Sequence, residues 1–217
     1  VLFRSASLLE PTAVAFNVYE KIKIKHKMNI LFIGAGFISQ VLLRILSLNK
    51  NLKITVADRN NFKLRLAKKC TSNIINLNLS TKDNLKRFKL PKNKFDCVID
   101  STGNVNAINF SMSCLSSEGQ FIVFGNVYKD SFVAKKSYNF LLRKEIMIKG
   151  VWNSTFKNNK SNWQQAENFL LKNSRKIVPL ISHIVSLQKA KNLLDKIYLN
   201  KIKKFKFNYL KGIIKIS

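Results

Sequence analysis

The sequence predicts an α/β fold, a doubly wound parallel sheet of the Rossmann type, and three observations predict it. Between Met28 and Gly150, apolar runs of strand length alternate with segments of helical spacing. That rhythm requires crossover connections and a sheet covered on both faces. The first run, NILFI (29–33), leads straight into G-A-G and a helical pattern, the order of a phosphate-binding turn. The second run, LKITVAD (52–58), ends on an acid, where such a fold meets a ribose.

The elements follow in order. After NILFI, the spacing of Ile38, Val41, Leu42, Ile45 and Leu46 predicts a helix over 37–48. LKITVAD is a second strand, followed by a helix from about Asn60 to Lys69, and NIINL (73–77) is a third strand. A polar helix near 81–89 stops at Pro91, which cannot continue it. FDCVID (95–100) is a fourth strand, 104–116 a helix, GQFIVFG (119–125) a fifth strand and EIMIKGVW (145–152) a sixth. Beyond Gly150 the rhythm changes. SNWQQAENFLLKN (161–173) opens with Ser161 and Gln164 in a capping-box arrangement and predicts a helix. SLQKAKNLLDKIY (186–198) predicts another, with Ser186 as N-cap. GIIKIS (212–217) is β-branched enough for a closing strand. These tail elements are too few for a domain of their own and are expected to pack on the rest.

Composition narrows the function. At 217 residues and 46% apolar the chain can bury a proper core. No run of 18 or more uncharged apolar residues exists, so no membrane helix is expected, and a cytoplasmic location is the default. Cys70, Cys97 and Cys114 are odd in number and lack C-x-x-C spacing, which supports neither a disulfide framework nor a cysteine zinc lobe. The net charge of +28, from 39 basic and 11 acidic residues, ordinarily points to nucleic acid. Here the lysines are spread through every segment together with Asn and Ile, the pattern of an AT-rich coding bias. Nucleic acid is therefore not the expected partner, although KIKIKHK (21–27) and KIKKFKF (201–207) keep a non-catalytic basic protein on a Rossmann scaffold as the alternative.

At the glycine turn, Gly34 permits the tight bend and Gly36 lets the backbone approach a pyrophosphate, whose charge sits on the N-terminus of the helix beginning at Phe37 and Ile38. Ser39 stands where the third glycine of the pattern usually sits; it is small, so helix and strand still approach. Asp58 lies 22 residues after Gly36, placed to accept from the ribose hydroxyls and to disfavour the extra phosphate of NADP. Arg59 adjoins it and opposes that preference. The Tyr-x-x-x-Lys pair that a short-chain dehydrogenase needs occurs only as Tyr19 and Lys23, upstream of the first strand. With only His26 and His183, a metal hydrolase is not expected; His183 is expected to be structural, and Trp152 and Trp163 to be packing residues on composition alone.

The segments LLEPTAVAFNVYE, GAG, VADRN, FDCVIDSTG, GQFIVFGN, RKEIMIKGVWNSTF and PLISHIVSLQKA together resemble the zinc-dependent medium-chain dehydrogenases. Within that superfamily they are most similar to the polyol branch, of the galactitol-1-phosphate 5-dehydrogenase type, with sorbitol and threonine dehydrogenases as near relatives. The resemblance runs from about Ala6 to the end. It implies a hydride transfer from a sugar alcohol, or its phosphate, to NAD, with a catalytic zinc holding the substrate hydroxyl. It assigns Glu10 to the metal as ligand and catalytic residue. Asp58, Arg59, Lys63, Thr102, Gly103, Phe124, Gly125 and Asn126 go to the cofactor cleft with Gly34, Gly36, Phe37 and Ile38, and Trp152 and Asn153 to the substrate. It also implies a homo-oligomer at full length.

Two departures qualify the resemblance. Ser39 replaces the third glycine. The family's N-terminal half, which carries the other zinc ligands and the proton relay, would precede the E-P pair and has no counterpart in this sequence. The expected organisation is a GroES-like catalytic-domain remnant and linking helix over 6–28, an NAD-binding Rossmann domain over 29–150 and a C-terminal segment over 151–217 that returns to the catalytic domain. Residues 1–5, VLFRS, are the peptide that the common sequencing-adapter run GTG CTC TTC CGA TCT would encode. They are expected to be an assembly scar, and a fragment inactive by itself is expected overall.

Overall fold

A computed structural model describes residues 2–77, 94–127, 130, 132–157, 160–202 and 206–216. The predicted helix near 81–89 lies outside the described residues. Two helices come first, α1 (Leu2–Ala6) and α2 (Leu9–Lys21). Then follow β1 (Asn29–Ile33), α3 (Phe37–Leu46), β2 (Lys53–Asp58), α4 (Asn61–Ala67) and β3 (Asn73–Asn76). The second half of the sheet is built by β4 (Phe95–Asp100), α5 (Val105–Cys114), β5 (Leu115–Val123), α6 (Lys135–Arg143) and β6 (Met147–Gly150). The sheet has the order β3-β2-β1-β4-β5-β6, and its pairings are all parallel. This is the predicted doubly wound fold.

Both faces of the sheet are covered, which is why its strands read as continuous apolar runs. Alternate residues point to opposite sides: Ile30, Phe32, Val56 and Ile99 join α2, α3 and α4 in one core, whereas Leu31, Ile33, Ala57 and Val98 join α5 in the other. β5 begins at Leu115, earlier than expected, because it follows α5 without a loop; β6 is shorter than expected. α6 is absent from the sequence expectations; it buries Ser137 and packs Phe140 and Leu141 on the second core.

The tail contains β7 (Phe156–Lys157), β8 (Lys160–Ser161), α7 (Asn162–Ile177), β9 (His183–Ser186), α8 (Ala190–Lys201) and β10 (Gly212–Lys215). α7 does pack on the rest, against α2 and the first core through Phe169, Leu170 and Ile177. Ser161 caps it by accepting from the Trp163 N–H at 3.2 Å. The Ser186 prediction fails: its side chain makes no cap bond, and a single 3-10 turn over 187–189 precedes α8. The closing strand pairs in parallel with β9, an element absent from the sequence expectations, in the register Gly212 with His183.

One buried polar group joins these parts. Arg44 on α3 is 4% exposed. Its Nη1 donates to the Gln40 carbonyl at 2.8 Å and to Gln40 Oε1 at 2.9 Å, and its Nε to the Lys176 carbonyl at 3.0 Å. Gln40 Nε2 in turn donates to the Lys63 carbonyl at 2.9 Å. α3, α4 and α7 are thus tied together, and the Lys176 carbonyl is one that the end of α7 leaves without an intrahelical partner.

Candidate functional site: the crevice at the strand ends

The C-terminal ends of five strands are level. Ile33 pairs with Ala57 and Asp100, Asp100 with Val123, and Val123 with Gly150. The ladder continues one step beyond: Gly34 N–H donates to the Ala57 carbonyl at 2.8 Å, Ser101 N–H to Ile33 at 3.0 Å, Phe124 N–H to Asp100 at 3.1 Å and Val151 N–H to Val123 at 2.9 Å. The loops carrying Gly34 to Phe37, Asp58, Ser101 to Gly103, Phe124 to Asn126 and Val151 to Asn153 therefore emerge side by side. Between β1 and β4 the strand order reverses, which opens a crevice where such sheets bind ligands.

Glycine is required there for two different reasons. Gly34 has φ +97°, and a Cβ on it would stand 2.4 Å from Ser101 Oγ. Gly103 has φ +60°, and a Cβ on it would collide with the Asn126 backbone, while a Cβ on Gly125 would collide with the Gly103 nitrogen. Those three lock the loops of β1, β4 and β5 together. Gly36 is the N-cap of α3, with φ −65° and ψ 177°, and a Cβ there would project into open space. Its lack of a side chain answers to nothing within this chain, which fits a ligand approaching the first N–H groups of α3, which a helix leaves without intrahelical partners.

Asp58, at the end of β2, holds the turn itself. Its Oδ2 accepts from the Ala35 N–H at 2.7 Å and its Oδ1 from the Asn60 N–H at 2.8 Å. Each oxygen keeps a second lone pair. Arg59 is exposed beside it. Asn60 caps α4 through the Phe62 and Lys63 N–H groups, placing half-buried Lys63 in the first turn. Ser39 is 2% exposed, and its hydroxyl finds no hydrogen-bond partner among the described residues. It fits where the third glycine usually stands, at the expense of an unpaired buried hydroxyl.

Asp100, fully buried, was not singled out in the sequence. Its Oδ1 accepts from Thr102 Oγ1 at 2.7 Å and the Thr102 N–H at 3.2 Å, and its Oδ2 from the Gly103 N–H at 3.2 Å. Burial raises its carboxyl above the ordinary range, partly offset by these donors. The Asp followed two residues later by Thr is the signal that could have found it. Lys211, just before β10, was also missed: its Nζ sits 5.4 Å over the ring of Phe37, the first residue of α3. Nothing in the local sequence marks it.

The residues assigned to the substrate follow β6. Trp152 is 75% exposed, which overturns its expected packing role, and Asn153 has φ 53°. Both carbonyls accept from Asn17 Nδ2 on α2, at 3.4 Å and 2.8 Å. Trp163 is 44% exposed, and its Nε1 donates to Ser154 Oγ at 2.9 Å, so it too is not buried packing. His183 stands 2.9 Å from Ser182 Oγ and adjoins the rings of Phe207 and Tyr209. Glu10 is exposed in the first turn of α2. Among the described residues no three His, Cys, Asp or Glu side chains stand together to hold a metal. These residues do not form a zinc site.

Comparison with known proteins gives the crevice a context. D-arabinitol dehydrogenase 1 of Uromyces fabae is 28% identical over 149 residues, which cover 67% of this chain and 42% of that protein. L-idonate 5-dehydrogenase of Escherichia coli superposes with a TM-score of 0.77 at 18% identity, over 98% of this chain and 57% of that one. Galactitol-1-phosphate dehydrogenase of the same organism gives 0.72 at 20% identity, over 89% and 57%. At such identities the superpositions establish the fold alone. The chain spans about half the length of these relatives. The model of the zinc-binding dehydrogenase family matches residues 38–172, from the first turn of α3 through most of α7. That stretch holds the acid of β2 and the interlocked loops of β4 and β5, and by it the chain belongs to the zinc-binding dehydrogenase family.

Proposed function

We propose that this chain is the nucleotide-binding portion of an NAD-dependent dehydrogenase that oxidises a sugar alcohol, or its phosphate, to the ketose, with galactitol 1-phosphate the first substrate to try. The observation that carries it is the pairing, at level strand ends, of an open-faced Gly36 on the α3 N-terminus with Asp58 on the neighbouring strand. The α3 N–H groups would take the pyrophosphate and Lys211 would add a cation beside them. Asp58 would accept from the adenosine ribose with its free lone pairs, and Lys63 would approach the same ribose. Thr102, Gly103, Phe124, Gly125 and Asn126 would line the path toward the nicotinamide, and Asp100 would keep the first two in place. Bound there, the nicotinamide supplies the hydride acceptor. Trp152 and Asn153 would border the substrate.

The expected metal contribution is limited. Glu10 would supply one ligand to a zinc site, and three protein ligands are the usual minimum. A small polyol partner, a cytoplasmic location and a homo-oligomeric whole enzyme belong to the same proposal. Sorbitol- and threonine-dehydrogenase-like activities are the alternatives within the family.

Fluorescence titration of the 217-residue chain with NADH and NADPH tests the cofactor assignment. NADH should bind more tightly, because Asp58 repels a 2′-phosphate, and Asp58→Ala should narrow the gap. NADPH binding as tight as NADH would show that Arg59 prevails and that the acid has been given the wrong role.

A further inference from the structure

Between the C-terminal ends of α3, α4 and α7 lies a cavity of about 350 Å³. Five of its lining residues are cationic: Arg44, Lys50, Lys69, Arg175 and Lys176. No acid lines it, and Cys70 stands among them. The ion pair Lys191 with Asp195 lies elsewhere, on α8. We propose that this cavity binds a dianionic phosphate group, free or as a small phosphomonoester, at a site separate from the nucleotide crevice.

A plainer account is that the cations only offset the helix ends gathered there. Each helix C-terminus carries roughly half a negative charge, so the ends of α3, α4 and α7 supply about 1.5 against five positive side chains. Arg44 spends its Nε and Nη1 on the carbonyls of Lys176 and Gln40; the four outer cations remain in excess. The same burial lowers the Arg44 guanidinium from its ordinary value, with a Coulombic contribution from Cys70 acting the other way. A coding bias toward lysine explains cations on an open surface, but two of the five are arginines and the five share one concavity. Leu48, Leu66 and Pro179 give the cavity an apolar wall, and its volume leaves space for the organic part of a phosphomonoester.

Cys70 reports on occupancy. It is half-buried, whereas Cys97 and Cys114 are 0% and 1% exposed, so a neutral reagent such as iodoacetamide reads Cys70 in the native protein. Inorganic phosphate should slow this alkylation by roughly tenfold at nine times its dissociation constant, by mass action. Potassium chloride at matched ionic strength should not. Lys69 and Arg175 are exposed, so Lys69→Gln and Arg175→Gln should leave the fold intact. Each should raise the half-protecting phosphate concentration by about two- to fivefold, and the pair by about tenfold. Glycerol 3-phosphate separates the two sources: protection at lower concentration than inorganic phosphate assigns the apolar wall to an organic group, and equal midpoints assign the cavity to phosphate itself. Equal slowing by chloride, no slowing, or an unchanged midpoint in the double variant overturns the proposal. Because Cys70 is local to the cavity, phosphate bound at α3's N-terminus leaves this readout unmoved.

Discussion

The sheet-forming half, residues 29–150, and the tail, residues 151–217, obey different rules. In the first, the inner strands β1 and β4 are buried on both faces and loops interlock through Gly34, Gly103 and Gly125. In the second, Trp152, Phe156, Leu171, Leu194 and Tyr198 are all more than half exposed, and α8 buries only Ala190 and Leu193. One region carries its own core; the other takes its form from what it touches. Function follows the same division, since the crevice is held by the sheet-forming half, while the tail adds the loop after Val151 and Lys211 over the Phe37 ring.

The sharpest way to break this contrast is at the two glycines of the turn. Gly34→Ala should cost roughly 2–4 kcal/mol, from a left-handed φ and a close contact with Ser101. Gly36→Ala should leave stability nearly unchanged, because its backbone suits alanine and its Cβ meets nothing. It should nevertheless weaken NADH binding about tenfold, equivalent to about 1.4 kcal/mol. Urea midpoints and NADH titrations of both variants separate a structural from a ligand-facing glycine; equal losses of stability would erase the distinction.

At the junction between the regions, Arg44→Met should cost roughly 2 kcal/mol, since it leaves helix-end carbonyls without donors while removing a buried cation. Hydrogen exchange should show the largest gain around Lys176. Uniform exchange across the sheet would mean that the tail is no less self-sufficient than the half it packs on.

The smallest effect belongs to the tail. Burial, with Lys196 second, holds His183 below its ordinary value, so the folded tail prefers the neutral ring. That stabilising contribution is complete above the unfolded value near 6.5 and is lost as pH falls through the lowered folded one. Solvent screening keeps it to a fraction of a kcal/mol. The thermal midpoint should therefore fall slightly between about pH 7.5 and 5.5, and His183→Gln should flatten that fall; a steeper fall in the variant would reverse the sign.

The sequence is legible where one local rule governs. NILFI and FDCVID match β1 and β4 residue for residue, because burial on both faces leaves a continuous apolar run. Gly36 and Asp58 were legible as a turn and an acid at the right separation. That Asp58 also accepts from Ala35 and Asn60 depends on how two loops meet, and no spacing encodes it. β9 escaped notice because its partner lies 29 residues further on, and Lys211 for the same reason. Ser186 was given a cap that an intervening 3-10 turn made unnecessary.

The order of strands also sets a timetable. Ile30 in the central strand pairs with Ile54, 24 residues later, and with Cys97, 67 residues later. Closing the longer loop costs about 0.9 kcal/mol more in chain entropy than the shorter, and no hairpin can nucleate the sheet. More consequential is α2, whose Phe16 packs edge-on against Phe169 of α7 at 5.6 Å. At synthesis rates of about 5–20 residues per second, roughly 8 to 30 s separate the two rings on the ribosome. For that interval α2 has α3 to pack on, but the part of its surface that meets α7 has no partner, and the nascent chain depends on whatever shields it.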